Sequence, residues 1–155
     1  MTRWNQGRET VDALIARGAI EHVPASQEAA EAELVRARTH LASARLLLDS
    51  DPEGGYTLAY DGARRALAAV LQNQGLRATS RGGHIAIYEA VFAQLDPPLG
   101  SVLRPFNRMR VRRNEVAYRS SEAPSVTAAD VTADVSKVEA LIKVAEKAIP
   151  NMPRY

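Results

Sequence analysis

The chain has 155 residues, a formal net charge of +2 and 46% hydrophobic residues, enough for one packed domain on the usual scale of ~100–200 residues per domain. The near-neutral balance excludes a uniformly basic nucleic-acid coat, and the absence of cysteine excludes disulfide staples and thiolate metal sites and fits a reducing compartment. No apolar run approaches the ~18 residues of a membrane span, and the N-terminal MTRWNQGRETVDALIARG lacks a signal-peptide core, so a cytoplasmic protein without membrane contact is expected.

Helical spacing recurs along the chain, and no stretch alternates long enough to make a convincing strand. A short helix is expected near residues 6–17, with Val11, Leu14 and Ile15 on its apolar side and Gly18 as its stop. Ile20 and Val23 can then fold back onto it. Ser26 is the expected N-cap of the second helix, with Glu28 in the favourable first turn. Leu34, Ala37, Leu41, Ala44 and Leu48 then alternate spacings of three and four, the seam of a bundle helix. Asp49 and Asp51 read as turn residues, and Pro52 with Gly54 and Gly55 as a break. A third helix carries Tyr56, Tyr60, Ala63, Leu67, Val70 and Leu71 and closes at Gly75, where a left-handed residue is wanted. After the polar loop RATSRGG, a shorter helix from about His84 to Leu95 presents Ile85, Tyr88, Phe92 and Leu95, and DPPLG ends it.

The next helix holds the densest charge in the chain. Arg104, Arg108, Arg110, Arg112, Arg113 and Arg119 fall in a stretch whose one acid is Glu115. At about 100° per residue, Val102, Leu103, Phe106, Met109, Val116 and Ala117 share one arc, and Arg104, Arg108, Arg112, Glu115 and Arg119 the opposite one. Arg113 lies in the middle of the apolar arc. It either reaches a carboxylate on another helix, such as Asp61 or Glu89, or the helix kinks after Pro105, or it lines a cleft that receives a phosphate. A guanidinium is always charged and offers a planar fork of donors that matches phosphate.

The last helix has the clearest start in the chain. Thr127 caps it, Asp130 stands three residues on as a capping-box analogue, and Val126 and Val131 are placed as a hydrophobic staple. Val131, Val135, Val138, Ile142, Ala145 and Ile149 make its stripe, and Pro150 ends it. The expected fold is all-α, an up-and-down bundle of four main helices plus one or two short ones. It forms a single domain with its core at about residues 26–149.

The segment RNEVAY, residues 113–118, resembles the signature of the HEPN family: an arginine, a polar residue, three variable residues and a histidine. The order of elements around it is similar too: GYTLAYDGARRALAAVLQNQGL, then RGGHIAIYEAV, then the motif. The resemblance covers roughly residues 26–149. It implies a small helical bundle, often a homodimer, that binds RNA and acts as a metal-independent endoribonuclease with no cofactor. In that chemistry the RNA 2′-hydroxyl attacks the neighbouring phosphate. Carried over, Arg113, Asn114 and Tyr118 are the catalytic positions, and Arg110, Arg112 and Arg119 guide the RNA. Tyr118 stands where the family has histidine. A tyrosine, with a pKa of ~10, donates a hydrogen bond or a proton more readily than it accepts one.

Two other uses remain open. Some family members are toxins of toxin–antitoxin pairs, silenced when a nucleotidyltransferase modifies a motif tyrosine, but that tyrosine's position here is Ser120. The chain could also be a non-catalytic partner of a nucleotidyltransferase or another protein. Direct DNA binding has no helix-turn-helix signature behind it. His84 is a candidate proton carrier or a helix-start residue. His22 and His40 show no metal-ligand spacing, and no metal site is expected. No glycine-rich phosphate loop, zinc signature or nucleophile elbow is present.

Overall fold

The computed structural model describes residues 3–118 and 125–155. In chain order its elements are α1 (Arg8–Ala16), β1 (Ile20–His22), α2 (Gln27–Leu46), α3 (Pro52–Gln74), β2 (Leu76–Ala78), α4 (Gly83–Leu95), α5 (Gly100–Leu103), α6 (Pro105–Ala117) and α7 (Ala128–Ala148). A 3-10 turn, Ile149–Asn151, follows α7. The all-α bundle expected from the periodicity is present. No helix among the described residues is long and apolar enough to cross a membrane.

Side-chain caps start the three long helices. Ser26 Oγ accepts from the Ala29 amide at 3.1 Å, and Thr127 and Asp130 form a reciprocal capping box, each satisfying amides the helix leaves free. Asp51 is more than a turn residue: its carboxylate accepts from the Gly54 amide at 3.0 Å and caps α3. Gly54 and Gly55 therefore sit inside the first turn of α3 instead of breaking the chain.

The second glycine has a packing role. A Cβ at Gly55 would lie 3.1 Å from the Ala44 carbonyl oxygen, and one at Gly62 would lie 3.0 Å from that of Ala37. With Ala37, Ala44, Ala59, Ala63 and Ala66 all buried, α2 and α3 meet through small residues and their backbones approach closely. The pairings also fix direction: 55 meets 44 and 62 meets 37, so α2 and α3 are antiparallel. The α7 helix follows α3 in parallel, since Gly55 faces Val131 and the Asn73 amide donates to the Ile149 carbonyl at 3.1 Å.

The α3-to-α4 connection does not reverse the chain. Tyr60 contacts His84, and Gln74 pairs with Gln94 at 2.6 Å in the interior, so these two helices run parallel. The cause is β2, which pairs antiparallel with β1 in the register Ile20 to Ala78 and His22 to Leu76. An extended residue advances ~3.3 Å against ~1.5 Å in a helix. The eight residues 75–82 thus return the chain past most of α3 before α4 begins. This small sheet was not expected, because three-residue strands are too short to show alternation.

Two expected faces shift. The buried side of α4 is Ala86, Ile87, Ala90, Val91, Gln94 and Leu95, while Ile85, Tyr88 and Phe92 are half-buried. The helix is apolar on nearly every side, so its pattern could not select one. In α6, which restarts at Pro105, only Phe106 and Met109 are buried. Beyond Met109 the helix runs along the edge of the core, where Arg113 and Val116 are half-buried, so the place of Arg113 on the apolar arc does not force it into the interior.

Candidate functional site

Among the described residues Arg113 reaches no internal carboxylate. Asp61 is taken by Arg64 at 2.6 Å and Arg65 at 2.8 Å, with His40 Nδ1 also 2.8 Å away. Glu89 pairs with Arg17 at 3.3 Å. The Arg113 guanidinium instead stands 5.8 Å from the centre of the Tyr60 ring, within cation–π range. Its one hydrogen bond among the described residues is to Asn114 Oδ1, at 3.5 Å. Arg110, one turn earlier, gives two donors to Asn107 Oδ1 at 3.1 and 3.2 Å. Among the described residues neither arginine has a carboxylate partner.

Beneath these arginines lies a column of rings. Phe106 is wholly buried and stacks on Tyr60 at 5.2 Å and on Tyr88 at 5.7 Å between centroids. The stack holds Tyr60 so that its hydroxyl meets His84 Nδ1 at 2.7 Å. Burial pushes the Tyr60 hydroxyl up to about 12, against the opposing pull of Arg113, Arg110 and Arg64, so it stays protonated. Burial also lowers the His84 imidazole below its ordinary range, and Arg64, Arg113 and Arg110 add to this while Asp61 opposes it. Burial raises the Asp61 carboxyl, and the hydrogen bonds from Arg64 and Arg65 outweigh that, so it ionises below the usual range. The result is a neutral histidine beside a field of positive charge.

His84 opens onto a groove of ≈ 830 Å³ between α3, α4 and the β-ribbon. Leu71, Leu76 and Ile87 line its apolar part, and Arg64, Arg65, Arg77 and Ser80 its polar edge. Such a mixture of apolar floor and a few convergent polar groups is usual for a ligand cleft.

The expected site residues divide. Arg113 and Arg110 act on the Tyr60–His84 pair. Asn114 is exposed and touches Arg113. Tyr118 is 84% exposed at the end of α6, with no contact to Tyr60 or His84. Arg112 belongs to another surface: it reaches the Ser125 carbonyl at 3.4 Å, Glu115 at 3.7 Å and Asp130 at 3.9 Å, tying α6 to the start of α7. Arg119 and Ser120 lie outside the described residues. Sequence reasoning took Tyr60 for a core residue and passed over Arg64, although their spacing of four puts them on one helix face. Among the described residues no group of three His, Asp or Glu side chains is arranged to hold a metal.

The half-buried imidazole has a stability consequence. Its pKa in the folded chain is depressed, so the unfolded chain binds a proton more readily. The stabilising contribution is complete above the unfolded value of ~6.5 and is lost as pH falls through the lower folded value. Thermal melts should therefore fall between pH 7 and pH 5, and His84→Asn should flatten that segment. A slope unchanged by the substitution would contradict the assignment.

Comparison of the chain with family models, with curated proteins and with solved structures gave no match.

Proposed function

We propose that the protein binds RNA at the surface around Arg113 and cleaves it without a metal, as a HEPN-like endoribonuclease. What carries the reading is the half-buried Arg113 guanidinium, 5.8 Å over Tyr60 and without a carboxylate partner among the described residues. A charge kept in such a place, with Arg110 unneutralised beside it, is matched by a phosphate that brings its own negative charge. Arg113 meets the phosphate, Asn114 orients the guanidinium, and Arg110 draws the strand by charge. Arg112, already engaged with acids, contributes less. The homodimer that belongs to this reading would use the outer face of α6, where Val111 and Tyr118 are 46% and 84% exposed and seven residues apart. There Tyr118 would donate to phosphate across the pair.

The test is binding and cleavage of a labelled single-stranded RNA in EDTA, with duplex DNA as competitor. Arg113→Ala should weaken RNA binding by about 10- to 100-fold, the worth of one charged hydrogen-bonded contact, while the helical circular dichroism stays unchanged. Affinity that is the same in wild type and Arg113→Ala, or lost equally to duplex DNA, would end the assignment.

A further inference from the structure

We propose that His84, outside the RNEVAY motif, is the proton-transfer residue of this site: its imidazole, held at Nδ1 by the Tyr60 hydroxyl, takes the proton from an RNA 2′-hydroxyl whose neighbouring phosphate is bound by Arg113. The proposal rests on the RNA reading above and assigns the step that Tyr118 performs poorly.

Geometry carries it. A general base must be fixed, mostly neutral at working pH and open to substrate. Tyr60 fixes the ring through the 2.7 Å contact at Nδ1 and is itself fixed by stacking on Phe106, which leaves Nε2 as the free nitrogen. We assign the tautomer in which Nδ1–H donates to the tyrosine oxygen, so that Nε2 carries the lone pair. His84 also lines the groove between α3, α4 and the β-ribbon, so substrate has an approach. The charged and titratable groups around it are Tyr60, Asp61 and Arg64 from α3 and Arg110 and Arg113 from α6. Arg65, Glu33 and Arg77 line the rest of the groove. Burial first, and then the positive members, keep the ring neutral, and the positive members receive the phosphate. Tyr118, 84% exposed at the end of α6, makes no contact with Tyr60 or His84.

The step balances. The 2′-oxygen gives its proton to His84 Nε2 and forms a bond to phosphorus. The bond from phosphorus to the 5′-oxygen breaks, and that oxygen takes a proton from water. The products are a 2′,3′-cyclic phosphate and a 5′-hydroxyl, and His84 returns its proton to solvent. The apolar floor beside His84 favours an unpaired base laid into the groove, so the substrate class is single-stranded RNA.

The experiment uses the full chain and a single-stranded RNA oligonucleotide of mixed sequence in EDTA, with rates measured from pH 5 to 9. His84→Asn, whose amide can keep the contact to Tyr60, should lower the cleavage rate by about 100-fold or more while RNA affinity changes by about twofold at most. The acid limb of the wild-type rate profile should coincide with the His84 titration followed by NMR, below ~6.5. Tyr60→Phe, which keeps the stack and loses the hydroxyl, should move that limb. Cleavage that survives His84→Asn but is lost in Arg113→Ala overturns the proposal and leaves the RNA reading standing; wild-type RNA binding without cleavage overturns the proposal and the nuclease half of that reading, leaving RNA binding alone. Loss of cleavage in Tyr118→Phe with His84→Asn fully active would assign the proton to the motif tyrosine and overturn it. A wild-type protein that neither binds nor cleaves RNA overturns both.

Discussion

Replacing Phe106 by alanine is expected to lower stability by about 3–5 kcal/mol, the usual cost of emptying a large aromatic site in a core. The ring is fully buried and touches both Tyr60 and Tyr88. It is also one of two buried residues that attach α6 to the body, so little else can collapse into the space. Denaturant unfolding followed by circular dichroism would measure the loss. A second effect accompanies it at the site. Tyr60 loses the surface that orients it, and with it the fixed partner of His84. Phe106→Leu should recover much of the stability but less of the RNA cleavage, because an aliphatic chain fills volume without offering a flat face. Equal recovery of both would show that the stack does not position the pair.

The second large effect is expected at Arg108, and its contrast with Arg113 separates scaffold from site. Asp134 is 4% exposed and is held by Arg108 at 2.6 and 3.2 Å, with Lys137 at 3.7 Å. Burial first, and then this carboxylate, by its charge and a hydrogen bond, push the Tyr56 hydroxyl above its ordinary range. Breaking a buried pair from one side costs ~3–5 kcal/mol. Arg108 is half exposed and Lys137 remains, so Arg108→Ala is expected to cost about 2 kcal/mol, short of that full figure. Removing both charges, in Arg108→Ala with Asp134→Ala, should cost less than the sum of the single changes, the mark of coupled neighbours. Arg113→Ala should alter stability by only about 1 kcal/mol or less, the scale of its contact with Tyr60. If Arg113→Ala destabilised the fold as much as Arg108→Ala, Arg113 would be a structural residue, and the cleft would lose its anion partner.

These two arginines also show where pattern reading fails. On the helical wheel Arg108 looked like a solvated charge that could pair with Glu115, and Arg113 like the charge forced inward. The structure pairs Arg108 with a buried carboxylate and leaves the half-buried Arg113 without one among the described residues. Asp134 comes from α7, twenty-six residues on, and nothing in α6 announces it. Arg113 is only half-buried because it lies at the edge of the core, and the length of a core is not encoded in one helix's periodicity. His84 shows the opposite case. Its place after two glycines at a helix start was visible, but its partner Tyr60 was indistinguishable from the other apolar-face residues of α3. Chemistry at this site depends on which of several equivalent tyrosines meets the histidine.

Local signals in the chain were sufficient for the helices, most of their ends and the single bundle. Ser26 and Thr127 cap, Gly75 turns left-handed at φ 82°, and the alanine and leucine seams face inward. Such features act within a few residues, so the order of residues alone specifies them. The parallel course of α3 and α4, the ribbon that imposes it, and the gathering of His84, Arg64, Arg110 and Arg113 around Tyr60 arise otherwise. They depend on contacts between segments tens of residues apart, where the packing of small residues between α2 and α3 and the stacking on Phe106 set which side chains meet.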